Sequence, residues 1–224
     1  MIMENINNTI GNPPSLKIIY ERLFNFIDDV LPDFEPLSID DDGNLKISED
    51  AITEDLADFL DNKQELLNKD PNISFKFTNQ SQRKADIGVK FGRVYNANTR
   101  EPFCWIEAKR LPTPKRKDRD EREYVIVNKE KFKGNGGIQR FKEGKHAPRL
   151  TYSIMVGYIQ ENDSNYWLDK INAWIIELAN TNNEFWTKDE CLHKDVSSKC
   201  DRFLSVHQRK DKTTITLYHY WIKL

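Results

Sequence analysis

From Pro102 to Arg110 the chain reads Pro-Phe-Cys-Trp-Ile-Glu-Ala-Lys-Arg, set off by turn residues over Asn96 to Glu101. Four apolar residues, Phe103 to Ile106, lead without a break into Glu107-Ala108-Lys109. A short apolar run bounded by a turn is the pattern of a strand buried within a sheet. Two further strands precede it, Ile73 to Phe77 and Ala85 to Phe91. Two meandering strands followed by a buried one point to a mixed sheet with helices packed on it and away from a helix bundle.

The buried run also carries chemistry. Side chains on a strand repeat with a period of two, so Glu107 and Lys109 share one face. Asp86 sits in the apolar stretch of the strand before. Two carboxylates on neighbouring strands can hold Mg²⁺ through oxygen, and a Lys on the same face can orient or activate an attacking water. An acid two residues before a Lys occurs three times: Asp61-Asn62-Lys63, Glu107-Ala108-Lys109 and Glu143-Gly144-Lys145. The first lies in a polar helical stretch and the third is interrupted by glycine. Only the second ends a buried strand with an acid-bearing strand upstream.

Around this core the elements follow in order. Residues 1–14 are Asn-rich and read as a loose tail, leaving 15–224 as a single domain. Leu16 to Val30 recur at helical spacing, giving a helix over 15–31 that stops at Pro32. Ser48 caps a second helix bearing Ile52, Leu56, Phe59 and Leu60 on its apolar face. Residues 112–123 form a charge-dense loop, Ile138 to Glu143 a short helix entered through glycines, and Leu150 to Gln160 a fourth strand. Trp167, Leu168, Ile171, Trp174 and Ile175 mark a strong helix after Asp163. The segment 181–224 reads as an extension ending in a β-hairpin around Arg209-Lys210-Asp211-Lys212. The expectation is an α/β fold with a four-stranded mixed sheet flanked by helices and an added hairpin.

Composition narrows the setting. With 31% charged and 11% aromatic residues the chain reads as folded and soluble. It has no apolar run of membrane-span length and no signal-peptide pattern at its start, and its three cysteines suit a reducing cytoplasm. The net charge of −2 conceals an asymmetry. The first 70 residues are strongly acidic, whereas residues 109–149 hold fourteen Lys and Arg against six acids. A basic block beside paired carboxylates suits nucleic acid, although a solvated loop would have the same composition.

Helix, three strands, helix, strand, with Asp86 and Glu107-Ala108-Lys109 in place, resembles the PD-(D/E)xK (restriction-endonuclease-like) nuclease superfamily over roughly residues 45–180. Ala85 stands where the eponymous Pro would be. Gly136 to Lys142 and Ser205 to Arg209 look like stretches of uncharacterised bacterial members. The resemblance implies a Mg²⁺- or Mn²⁺-dependent endonuclease acting on DNA in a restriction or anti-phage setting. Asp86, Glu107 and the Ala108 carbonyl would be the ligands, with Lys109 positioning water. It allows a homodimer or a defence-system partner protein.

Further residues follow from the same resemblance. Glu49 falls on the sheet-facing stripe of its helix and is either a third acid of the site or a first-turn Glu favoured by the helix dipole. Gln139 would orient water or hold Lys109, and Arg140 would hold a phosphate, unless both lie on a solvated face. Apart from the resemblance, Lys115, Arg116 and Lys117 of the basic loop would contact nucleic-acid phosphates, His146 either touches phosphate or is an incidental loop residue, and the alternating Ser205, His207 and Arg209 either contact a backbone phosphate or lie on a surface strand. Cys191, His193, Cys200 and His207 fit no standard zinc spacing. Two rivals stand: a non-catalytic nucleic-acid-binding module of the same fold, and a protein-interaction subunit using the acidic first 70 residues.

Overall fold

A computed structural model describes residues 15–37, 48–67, 74–79, 85–91, 101–114, 119–128, 136–182 and 184–224. The expected tail, 1–14, lies outside them. The fold is α/β, with a seven-stranded mixed sheet and helices on both faces. Helices α1 (Leu16–Val30) and α2 (Glu49–Leu67) precede strands β1 (Phe75–Asn79), β2 (Ile87–Phe91) and β3 (Cys104–Leu111). After these come α3 (Gly137–Lys142), β4 (Tyr152–Ile159) and α4 (Ser164–Thr181). The chain closes with β5 (His193–Lys194), β6 (Arg202–Gln208) and β7 (Thr214–Lys223).

Spatially the strands run β1-β2-β3-β4-β7-β6-β5. The first three form an antiparallel meander, and β4 joins β3 in parallel. The expected appended hairpin needs correction. β6 and β7 do pair antiparallel, but β7 also pairs in parallel with β4 from Tyr152↔Thr216 to Ile159↔Lys223. The sheet is therefore one layer of seven strands, and the supposed extension forms its second half. The physical reason is the composition of β7: Tyr220 and Ile222 pack on one face while Ile215, Leu217 and Trp221 pack on the other. A strand apolar on both faces belongs inside a sheet. Gly157 makes the fit possible, since a Cβ there would come within 2.5 Å of the Trp221 ring.

The alternation of side chains along the sheet divides the core in two. Leu23, Phe24 and Ile27 of α1 and Ile52, Leu56 and Leu60 of α2 cover one face. Ile138 and Phe141 of α3 and Trp167, Ile171, Trp174 and Ile175 of α4 cover the other, each buried side chain contributing about 1.5–3 kcal/mol. Asp163 caps α4, its side chain accepting from Tyr166 N. Tyr124 and Val125, just past the expected charged loop, are also fully buried in this second layer.

Candidate active site

Asp86 immediately precedes β2. The β2–β3 register pairs Ile87 with Ile106, so one residue further places Asp86 across from Glu107. Asp86 Oδ2 accepts a hydrogen bond from Ala108 N at 2.7 Å, which ties the loop end of β2 to β3. Burial, and next the charge of Glu107, push its carboxyl up to about 7.

Glu107 is fully buried. Its Oε1 faces two cations, Lys109 Nζ at 3.0 Å and Arg140 Nη1 at 2.8 Å. Its Oε2 lies 3.2 Å from His146 Nε2 yet accepts no hydrogen bond among the described residues. Burial favours its neutral form, but Lys109, His146 and Arg140 outweigh this and hold the carboxyl at about 2.

Lys109 is encircled by oxygen. Its Nζ donates to Glu49 Oε1 at 3.1 Å and to the Ala108 carbonyl at 2.7 Å, besides pairing with Glu107. Burial opposes its charge, but Glu107, Glu49 and Asp86 raise its pKa well above the ordinary lysine value. The period-two spacing thus does what the sequence leads one to expect: Glu107 and Lys109 meet on the face opposite to Ala108.

Glu49 arrives from the first turn of α2. Its Oε2 accepts from Arg110 N at 3.2 Å and from Arg119 Nη2 at 3.4 Å. Burial works against its charge, and Lys109 and Arg119 more than offset that, lowering its pKa. One helical turn on, Thr53 donates to the Glu49 carbonyl at 2.6 Å and receives the Tyr158 hydroxyl at 3.2 Å, pinning α2 to β4. Glu49 is thus both a first-turn residue of α2 and directed at Lys109 and the end of β3. Arg119, Thr53 and Tyr158 were not foreseen. The Arg119–Glu123 pair, at helical i,i+4 spacing and 2.6 Å, was the available sign that the charged loop is ordered there.

Several expected contacts lie elsewhere. Gln139 does not touch Lys109. Its Oε1 accepts from Gly136 N and Val127 N, and its Nε2 donates to Glu143, so it serves the start of α3. Arg140 and His146 turn inward to Glu107. Lys115, Arg116 and Lys117 lie outside the described residues.

His207 and Arg209 need correction, because the strand face they share is the covered one. Ser205 Oγ is hydrogen-bonded to His207 Nε2 and to His219 Nε2, each at 2.7 Å. His219 Nδ1 meets the Tyr124 hydroxyl at 2.9 Å, and that oxygen accepts from Trp221 Nε1 at 3.0 Å. Burial foremost lowers the pKa of both imidazoles. Arg209 donates to the carbonyls of Phe141, Ala147 and Leu150, clamping α3 and the turn after it to the end of β6. Both side chains are buried.

No known protein family, curated protein or solved structure matches the chain.

The donors gathered at this end of β2 and β3 are oxygens. Asp86, Glu107, Glu49 and the Ala108 carbonyl supply oxygen donors alone, the set a hard cation takes. Among the described residues no three His, Cys, Asp or Glu side chains stand at metal-holding spacing. Mg²⁺ needs only one or two protein carboxylates, its other positions being filled by water or substrate phosphate. The Glu107 oxygen left without a hydrogen bond is a donor of this kind.

Proposed function

We propose that this chain is a divalent-metal-dependent nuclease of the PD-(D/E)xK type, hydrolysing phosphodiester bonds in DNA. The observation that carries the reading is the convergence of Asp86, Glu107, Lys109 and Glu49 on one end of β2 and β3. The order α2-β1-β2-β3-α3-β4, an antiparallel meander followed by a parallel strand, supports it as the order which the resemblance implies.

Mg²⁺ bound here would supply Lewis-acid stabilisation of the charge developing on the scissile phosphate. Asp86 and Glu107 would hold it, with the Ala108 carbonyl turned toward the same space. Lys109, its charge favoured by the carboxylates around it and held by Glu49, would orient the water that attacks phosphorus. A restriction or anti-phage role belongs to this proposal by analogy of fold alone.

A second reading has one observation behind it: the ammonium of Lys109 already satisfies three oxygens, as it would in a purely structural ion cluster. The chain would then bind nucleic acid without cutting it. Plasmid nicking with Mg²⁺, run on the parent and on Asp86→Asn, separates the two. The nuclease reading expects metal-dependent nicking by the parent and none by a folded Asp86→Asn protein that still retards DNA in a gel. Retardation without nicking in both proteins would favour the second reading.

A further inference from the structure

Two cations of this chain share a single oxygen. Glu107 Oε1 takes both Lys109 and Arg140, while the buried Oε2 accepts no hydrogen bond among the described residues. A buried ion pair contributes stability only when its remaining lone pairs are satisfied as well. This one leaves an oxygen unsatisfied and sets two like charges side by side.

The two cations are unequally held. The Lys109 side chain is 5% exposed and keeps Glu49 and the Ala108 carbonyl even without Glu107. That of Arg140 is 28% exposed, and among the described residues its other side-chain contact is His146 Nε2 at 3.3 Å. Guanidinium only donates, so this contact requires His146 Nε2 to accept. The same nitrogen lies 3.2 Å from Glu107 Oε2, where it would have to donate. Arg140 and Glu107 Oε2 thus make opposite demands on one nitrogen.

We propose that Arg140 is a displaceable counter-ion: it neutralises Glu107 in the absence of substrate, and a phosphate diester of the nucleic acid draws it away and opens Glu107 to a divalent metal. The inference rests on the metal-dependent nuclease reading and adds the order in which the site assembles. Guanidinium pairs with phosphate in bidentate geometry, a better partner than one shared oxygen. Once Arg140 leaves, Oε1 keeps Lys109 alone, and Oε2, which accepts no hydrogen bond among the described residues, can face a cation with no guanidinium beside it. Because linkage is reciprocal, metal and nucleic acid each tighten binding of the other by the same factor.

The test is calorimetric titration of Ca²⁺ into the full chain, with and without a short DNA duplex. Parent, Arg140→Gln, Arg140→Lys and Asp86→Asn proteins are compared, each checked for folding by thermal denaturation. For the parent the duplex is expected to tighten Ca²⁺ about tenfold, roughly the effect of removing one adjacent charge. Arg140→Gln should bind Ca²⁺ about tenfold more tightly without duplex and gain little from adding it. Arg140→Lys, which keeps the charge, should bind Ca²⁺ as weakly as the parent.

Equal Ca²⁺ affinity in the parent and Arg140→Gln, or an equal duplex effect in both, overturns the displacement. If Asp86→Asn abolishes Ca²⁺ binding in that case, the metal site itself stands. Absence of Ca²⁺ binding in every protein, with and without duplex, overturns both readings together.

Discussion

Asp86 is the carboxylate of the site whose surroundings work against its charge. The Ala108 N–H and the Lys109 ammonium favour ionisation, yet burial and Glu107 prevail and carry the pKa to about 7. In the unfolded chain the group titrates near 4. Between about pH 4 and 7 the native protein therefore keeps a proton that the unfolded chain has lost, and stability falls as pH rises through that window, by at most about 4 kcal/mol. Asp86→Asn retains an acceptor for Ala108 N and removes the charge. Urea unfolding at pH 8 should find it more stable than the parent, with the advantage shrinking toward pH 4. Glu107 behaves in the opposite sense, contributing stability above its unfolded pKa that is lost as pH falls through about 2. If a divalent ion binds here it must displace the Asp86 proton. Calorimetry in buffers of different ionisation enthalpy should register about one proton released near pH 6 and none near pH 9. Lys109→Ala is a poorer probe of catalysis, because it strands Glu49 and Glu107 in the interior. It should lower unfolding free energy by about 3–5 kcal/mol in urea titrations.

At the scale of elements, α3 is the piece that could not stand by itself, since a helix of so few residues does not outweigh its own nucleation. It starts where it does because neighbouring backbone completes it. The N–H groups of Gly137, Ile138 and Gln139 donate to the carbonyls of Glu123, Tyr124 and Val125. Gly136 permits this approach: a Cβ there would lie 2.3 Å from Ile126 Cα. Gly136→Ala should therefore cost about 1–3 kcal/mol, read as a drop of several degrees in Tm, and should shift Arg140 relative to Glu107. The same element explains what could be read in advance. Asp86, Glu107 and Lys109 were legible because strand periodicity and antiparallel pairing are local rules. Glu49 was legible because a helix turns 100° per residue. Gln139 was misjudged although Gly136-x-x-Gln139 has the spacing of a capping box, an arrangement that turns the side chain back on its own helix. His207 and Arg209 were misjudged for another reason. Alternation tells which residues share a face but not which face is covered, and here Tyr124, Trp186 and Trp221 arrive from distant parts of the chain.

On the scale of the whole molecule, the charge asymmetry leads to a prediction under the nuclease reading. Affinity for DNA should fall by tenfold or more between about 50 and 200 mM salt despite the net charge of −2, because each phosphate contact by the basic segment releases counterions. Fluorescence anisotropy with a labelled duplex measures this, and a flat salt response would favour the protein-interaction rival. The apolar faces of β7 mark it as an interior strand, but its partners were not legible, since nothing within a strand names them. Its place between β4 and β6 has a consequence for how the protein is made. During synthesis β1 to β4 leave the ribosome first, then the β5–β6 pair, and β7 follows them all. Until it arrives β4 and β6 each lack a partner along one edge, and unpaired edge backbone is open to other chains. β7 is translated after both strands that flank it, so any stall or truncation ahead of Thr214 leaves the facing edges of β4 and β6 without their partner.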